Sequence, residues 1–579
     1  MFPSKRFTMK KILLSIAIIC ALASCKKVLD ETPQGVVSDE DLNTPENIEK
    51  MAIAAYSALG NDHYTSPYTS LWPYGSVRGG DTYKGGDGPG DLSEFHLFET
   101  FSLNRVDNGL TDQLWFRIYV GIGRVNDALR RLDAVEDNVF PNKAVRIAEM
   151  RFLRGHFYFL NKILFKYVPY IDETMSKTSY ASISNRVLTN DALWGKIVDD
   201  FRAAANGLPP NQNDKGRVTK TAAQSYLAKA LLYQAYVQNE QNDVTSIDAA
   251  KLNEVVALTG DVIGTHKYTL NADYANNFLS QTENSAESVF AIQYSKDDGT
   301  PKGRLDYGHA LNYPMNQEFG CCGFHVPSHD LINAFKTTTA GLPDFTNYST
   351  PDVAASGDYF TSSFDPRLNH TVAIPGNPYK YNSKYIFQRS WARAPEVYGA
   401  FASLKEAVTP DDPTFQKVPP FMSSSKNWDI IRFDDVMLFR AEALIELGRQ
   451  DEALPLINDL RTRAGNSTAR LKQANGQPSA NYKVSTYQPG VNCTWTQDYA
   501  RQALRWERRL EFATEGYRFF DLVRWGVAAT AMNAYFAVEK NRSAHLSDAT
   551  FKKNRDEYLP IPLNQINYSR DLYKQNTGW

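Results

Sequence analysis

Two stretches of this sequence set aromatic rings beside charges in a way that suits binding chemistry. In the first, Trp72 and Tyr74 flank Pro73, Tyr83 follows, and Arg78, Asp81 and Asp87 lie nearby. In the second, Trp391 and Tyr398 lie beside Arg389, Arg393 and Glu396. An exposed ring covers the apolar face of a sugar, while carboxylate, amide or guanidinium groups take its hydroxyl rim. Trp72 is the favoured platform and Tyr83 a weaker one. Each of these rings also fits plain core packing.

Bond-making chemistry is harder to find. The chain has no Gly-x-Ser-x-Gly elbow, no Gly-x-x-x-x-Gly-Lys-Ser/Thr loop and no His-Glu-x-x-His. His325 and His329 are four apart, a spacing that seats a metal on a helix, but Pro327 stands between them and no third ligand is near in sequence. No metal, cofactor or catalytic residue is expected. Glycoside hydrolysis needs only two well-placed carboxylates, so a hydrolase stays open as an alternative. Cys321 and Cys322, with Gly320 and Gly323 on either side, fit a vicinal disulfide or two free thiols. Cys493 is then left unpaired as a small hydrophobe.

The N-terminus directs the rest outward. Lys10 and Lys11 precede an apolar run, Ile12 to Leu22, which leads into Leu22-Ala23-Ser24-Cys25. This order reads as a signal peptide over 1–24, and Cys25 sits where the cleavage site falls. Its setting resembles a bacterial lipobox, which implies lipidation of Cys25. Residues 25–45 are polar and turn-rich and read as a flexible tether to a body spanning 46–579. Cleavage would remove Lys5, Arg6, Lys10 and Lys11 from 63 basic residues. That leaves 59 against 65 acidic, a net charge of −6. A mildly acidic body is a poor binder of phosphate backbones, so no nucleic-acid partner is expected.

The elements that must carry the rings are mostly helical. Thr44-Pro45-Glu46 supplies an N-cap, a first-turn proline and an acid, and Gly60 a stop. Helical spacing recurs over 113–132, 142–167, 191–206, 219–238 and 248–264. In the second of these Ala148, Phe152, Gly155, Phe159 and Ile163 form one apolar face. Trp115, Trp194, Trp506 and Trp525 fall within helical periodicity and read as core. The clearest hairpin is 434–465, where Leu447-Gly448 closes one helix and Asp451-Glu452-Ala453 opens the next. It is tetratricopeptide-like, and such pairs must stack to bury their apolar faces. Between helices lie two loop-rich portions, about 61–110 and 290–430, which hold the candidate rings. The predicted fold is mainly α: a scaffold of helical hairpins with a loop-rich ligand-binding portion.

Two further segments carry a resemblance. Arg508-Arg509-Leu510-Glu511-Phe512 through Gly516-Tyr517-Arg518-Phe519-Phe520-Asp521-Leu522-Val523-Arg524-Trp525-Gly526 is one, and the terminus from Tyr558-Leu559-Pro560 to Gly578-Trp579 is the other. Both resemble the C-terminal signatures of the SusD/RagB family, and the lipobox, Ala148 to Arg154 and Asp365-Pro366-Arg367-Leu368 fit it in the same order. The resemblance implies an outer-membrane lipoprotein facing the cell exterior. It implies an oligosaccharide or polysaccharide ligand and a SusC-like TonB-dependent transporter as partner. The RagB branch resembles peptide carriers, which is the alternative ligand class. The charges of the signature, Arg508, Arg509, Glu511, Glu515, Arg518, Asp521 and Arg524, sit at helical spacings and read as scaffold ion pairs.

Overall fold

The computed structural model describes residues 42–60, 62–300, 304–418 and 421–579. The expected signal peptide, Cys25 and most of the expected tether lie outside these residues.

The helices form where caps and apolar spacing place them. Helix α1 (Pro45–Ser57) starts at Thr44, whose side chain accepts from the Asn47 amide. The segment expected to be irregular contains a π-helical turn (Trp72–Val77), strand β1 (Thr82–Gly85) and helix α2 (Ser93–Thr100). Helices α3 (Gly109–Ala134), α4 (Lys143–Phe165), α5 (Asn190–Gly207), α6 (Lys220–Ala235) and α7 (Ala249–Gly264) follow. Thr189 and Thr219 cap α5 and α6, accepting from the amides of Ala192 and Ala222. Each helix packs on the next, α3 on α4 through α6 on α7. Gly121 makes one such approach possible: a Cβ there would sit 2.7 Å from the ring of Phe157 on α4.

The stack then jumps in sequence. Helix α7 packs against α9 (Phe433–Glu446), which pairs with α10 (Gln450–Asn466). The intervening residues leave and rejoin the stack at one place, because β2 (Ser288–Ile292) pairs antiparallel with β4 (Trp428–Arg432), Trp428 opposite Ile292. Within this excursion lie β3 (Phe324–Pro327), which pairs with β1, and the short helix α8 (His329–Ala334). Every sheet among the described residues is a single antiparallel pair of strands. The helices α11 (Gln497–Glu511), α12 (Arg518–Arg524) and α13 (Ala528–Glu539) close the body.

The C-terminal signature is the hub of this body. Arg508 bonds Asp435 at 3.0 Å and Asp521 at 2.9 Å, and Arg509 bonds Asp81 at 3.0 Å and Asp330 at 2.6 Å. Glu511 receives Arg367 at 2.7 Å and Arg463 at 2.6 Å; Glu515 receives Lys405 at 2.7 Å and also Arg432. Arg524 joins Asp521 at 2.8 Å and also Glu442. These groups are buried, where breaking one partner leaves an uncompensated charge costing about 3–5 kcal/mol. The network therefore fixes how helices, β4 and the excursion meet. Arg518 is the exception in the set: it forms no ion pair among the described residues, and its Nε has no hydrogen-bond partner there.

Candidate functional site

The first candidate cluster is covered. Trp72 is fully buried, its Nε1 donates to the Gly308 carbonyl at 3.0 Å, and its ring packs against Phe95 and His325. Tyr74 packs on Phe98, and Tyr83 donates to Glu539, both without exposed surface. Arg78 lies over the Phe519 ring at 4.1 Å, and Asp81 is held by Arg509. Of the charges named there, Asp87 alone is exposed. The expectation of a displayed Trp72 is therefore corrected: its segment is an inner layer. The backbone of Gly75 runs so close to Gly516 that a Cβ would fall 1.7 Å from the Gly516 carbonyl oxygen. The glycines here permit close packing of chain on chain rather than an open loop.

The second cluster divides. Tyr398 is buried, its ring 4.7 Å from His545, so it too belongs to packing. Trp391 is half-buried against Phe319 and Phe387. Arg393 bonds Asp91 at 2.7 Å and donates to the Cys322 carbonyl at 3.4 Å, tying this segment to the Cys321–Cys322 turn. Those two cysteines are joined by a disulfide, while Cys493 is free and half-buried. Arg389 and Glu396 pair at 2.6 Å and remain exposed.

That exposed pair stands on the edge of a cleft of about 450 Å³. Phe360, Asn377, Gln473 and His329 also line it. Phe360 is 53% exposed and, unlike the more exposed Phe116, lines a cleft. Its loop is fixed from below: Asp358 Oδ1 accepts from the amides of Phe360 and Thr361, each at 3.0 Å, and the neighbouring Tyr359 is buried against Phe364. The side-chain amides of Asn377 and Gln473 make no hydrogen bond to the described residues. The cleft floor is tied together at Asp352. Asp352 accepts from His329 Nδ1 at 2.9 Å and from Asn333 at 2.8 Å, and Arg542 lies 3.2 Å away. Burial works against the Asp352 carboxylate, but those donors and the Arg542 charge bring its pKa down to about 2.

His325 and His329 do not share a site. His325 bonds Glu406 at 2.7 Å inside the body, and His329 bonds Asp352 at the cleft. Among the described residues Glu287, Asp434 and Glu511 converge closely enough to hold a cation, and the guanidinium of Arg463 already contacts all three.

Sequence reasoning reached Arg389 and Glu396 but not Phe360, Asn377 or Gln473. The Asp-Tyr-Phe-Thr turn at 358–361 was the available signal for Phe360. Gln473 comes from the loop after α10, outside the 290–430 portion, and nothing local marks it.

The profile of the SusD family matches residues 286–579, half of the chain, and a second profile, described as starch-binding associating with outer membrane, matches 27–232. The chain belongs to the SusD family. Among its relatives, the SusD-like protein P2 of Formosa agariphila is 22% identical, with 97% of this chain and 98% of that protein aligned. A SusD homolog from Bacteroides thetaiotaomicron superposes with a TM-score of 0.69 at 20% identity, over 93% of this chain and 98% of its own. Surface glycan-binding protein A from the same organism, solved with laminarihexaose, superposes with a TM-score of 0.66 at 22% identity, over 92% and 99%. SusD membership agrees with the stacked helical hairpins.

Proposed function

We propose that this SusD-family protein is a glycan-binding lipoprotein, anchored through Cys25 and facing the cell exterior. It captures an oligosaccharide and passes it to a TonB-dependent transporter of the outer membrane without cleaving it. The carrying observation is the exposed Phe360 ring beside the uncommitted amides of Asn377 and Gln473 in one cleft. A ring face and an amide rim are what a pyranose needs. The cations of the cleft are matched, Arg389 by Glu396 and Arg542 by Asp352 and Glu539, so the site reads hydroxyls and favours uncharged sugar units. Family membership and the glycan complex of a structural neighbour support the same ligand class.

The test is affinity electrophoresis against a panel of polysaccharides, with parent and Phe360→Ala side by side. A neutral polymer should retard the parent strongly and the variant weakly, with no reducing ends released. A parent retarded by no glycan would refute the ligand class. Sugar release from the retarding polymer would instead favour the hydrolase reading.

A further inference from the structure

A second cleft, of about 440 Å³, opens between α11 and α12 and is lined by Arg501, Arg505, Trp506, Arg518 and Trp525. Arg501 is matched, bonding Glu446 at 2.7 Å and Asp498 at 2.6 Å. Arg505 and Arg518 are not. Each has a buried Nε without a hydrogen-bond partner, and neither forms an ion pair with any described residue. The acids in reach are already taken: Asp81 and Asp330 by Arg509, Glu442 by Arg524, Glu446 by Arg501. Burial, reinforced by the like charge of Arg509, lowers Arg518 to about 10, so it stays cationic at neutral pH. Asp81 and Asp330 act on Arg518, and Glu442 and Glu446 on Arg505, only through space, so the cleft presents two half-buried guanidinium groups with no direct ion pair among the described residues.

The rings narrow what the two groups can hold. The guanidinium of Arg505 lies 4.9 Å from the centre of the Trp525 ring. The indole N–H groups are engaged elsewhere, Trp506 donating to the Ala334 carbonyl at 3.2 Å and Trp525 to Glu442 at 2.9 Å. Trp525 is only 6% exposed, with Arg505 and Arg524 over its ring, so the half-buried Trp506 is the indole that offers the cleft ring surface. We propose that this cleft binds an oxyanion carried on a ring-sized molecule, a sugar bearing a carboxylate or sulfate group, with Arg505 and Arg518 donating to its oxygens. The planar guanidinium fork matches both anions, and the Trp506 ring suits a sugar face. This site is separate from the Phe360 cleft and stands whether or not that cleft holds sugar.

The mature protein would be titrated with glucuronate, glucose 6-sulfate, inorganic sulfate and glucose, read by calorimetry and by tryptophan fluorescence. At least one sugar anion should bind and quench or shift the indole emission, glucose should not, and Arg505→Gln should weaken binding about tenfold or more. Comparing the two sugar anions decides between carboxylate and sulfate. Thermal stabilisation of the parent by the sugar anion but not by glucose supports the same site without any variant, should Arg505→Gln fold poorly. Failure of both sugar anions to bind, binding by inorganic sulfate alone, or equal binding by a folded Arg505→Gln variant would each overturn the proposal.

Discussion

Residues 61–110 and residues 353–401 have the same ingredients, yet among the described residues only the second puts a phenyl ring, that of Phe360, into solvent. Both mix aromatic rings, glycine and charge. In the first, Trp72, Tyr74 and Tyr83 are sealed beneath β3 and the C-terminal signature. In the second, Phe360 stands out of a pinned turn beside an exposed Arg389–Glu396 pair. What separates them is cover. The first segment is packed under β3 and the C-terminal signature, while the second belongs to the excursion between β2 and β4 and buries Tyr359 and Phe364 but leaves Phe360 outside. A ring in a glycine-rich segment is thus a binding candidate only once the rest of the chain has been accounted for.

The sharpest way to break this comparison is to remove one ring from each segment. Trp72→Ala deletes a fully buried indole and its hydrogen bond to Gly308 and should cost about 3–5 kcal/mol. Phe360→Ala should cost less than about 1 kcal/mol in stability. Chemical denaturation measures both, and equal losses would erase the distinction between inner layer and displayed loop.

Acid should strike the covered region next. Burial opposes the ionised forms of Glu406 and Glu99, yet His325 at the first, and His545 with His96 at the second, hold both at about 2 against an ordinary value of 4.5. Folded values below unfolded ones mean a contribution present in full above about pH 4.5 and lost as the pH falls toward 2. Each carboxylate should forfeit on the order of 3 kcal/mol across that window. Melting temperature followed from pH 6 to pH 2 reads this directly. Glu406→Gln should flatten the acid limb, and an unchanged limb would remove Glu406 as its source.

The smallest effect concerns the displayed charges. The Arg389–Glu396 pair is more than half exposed on both sides, so replacing either residue by alanine should change stability by less than about 1 kcal/mol. Glycan affinity should fall a few-fold, because the pair sits on the rim of the cleft. A double-mutant cycle run for stability and for binding separates these two roles. A large stability loss would place the pair in the scaffold instead.

The scaffold was legible because its signals are local. Thr44 caps α1 where the Thr44-Pro45-Glu46 run predicts, and the face formed by Ala148, Phe152, Gly155, Phe159 and Ile163 is buried as its period requires. The hairpin at 434–465 appears as α9 and α10 with Gly448 in the left-handed region between them, at φ +74°. The charges of the C-terminal signature were legible as scaffold for the same reason, Arg518 excepted. The site was not legible, because it is assembled from far-apart turns. Phe360, Asn377, Arg389 and Gln473 meet only after the excursion has folded, and the inner layer that holds Trp72 forms only where Gly75 meets Gly516, far along the chain.

The central claim is that sugar stacks on Phe360, and a crystal structure of the protein with a bound neutral oligosaccharide tests it most directly. The account predicts a pyranose face against the Phe360 ring, with Asn377 and Gln473 donating to its hydroxyls and Trp72 still sealed. A sugar seated elsewhere, with the Phe360 cleft empty, would contradict it.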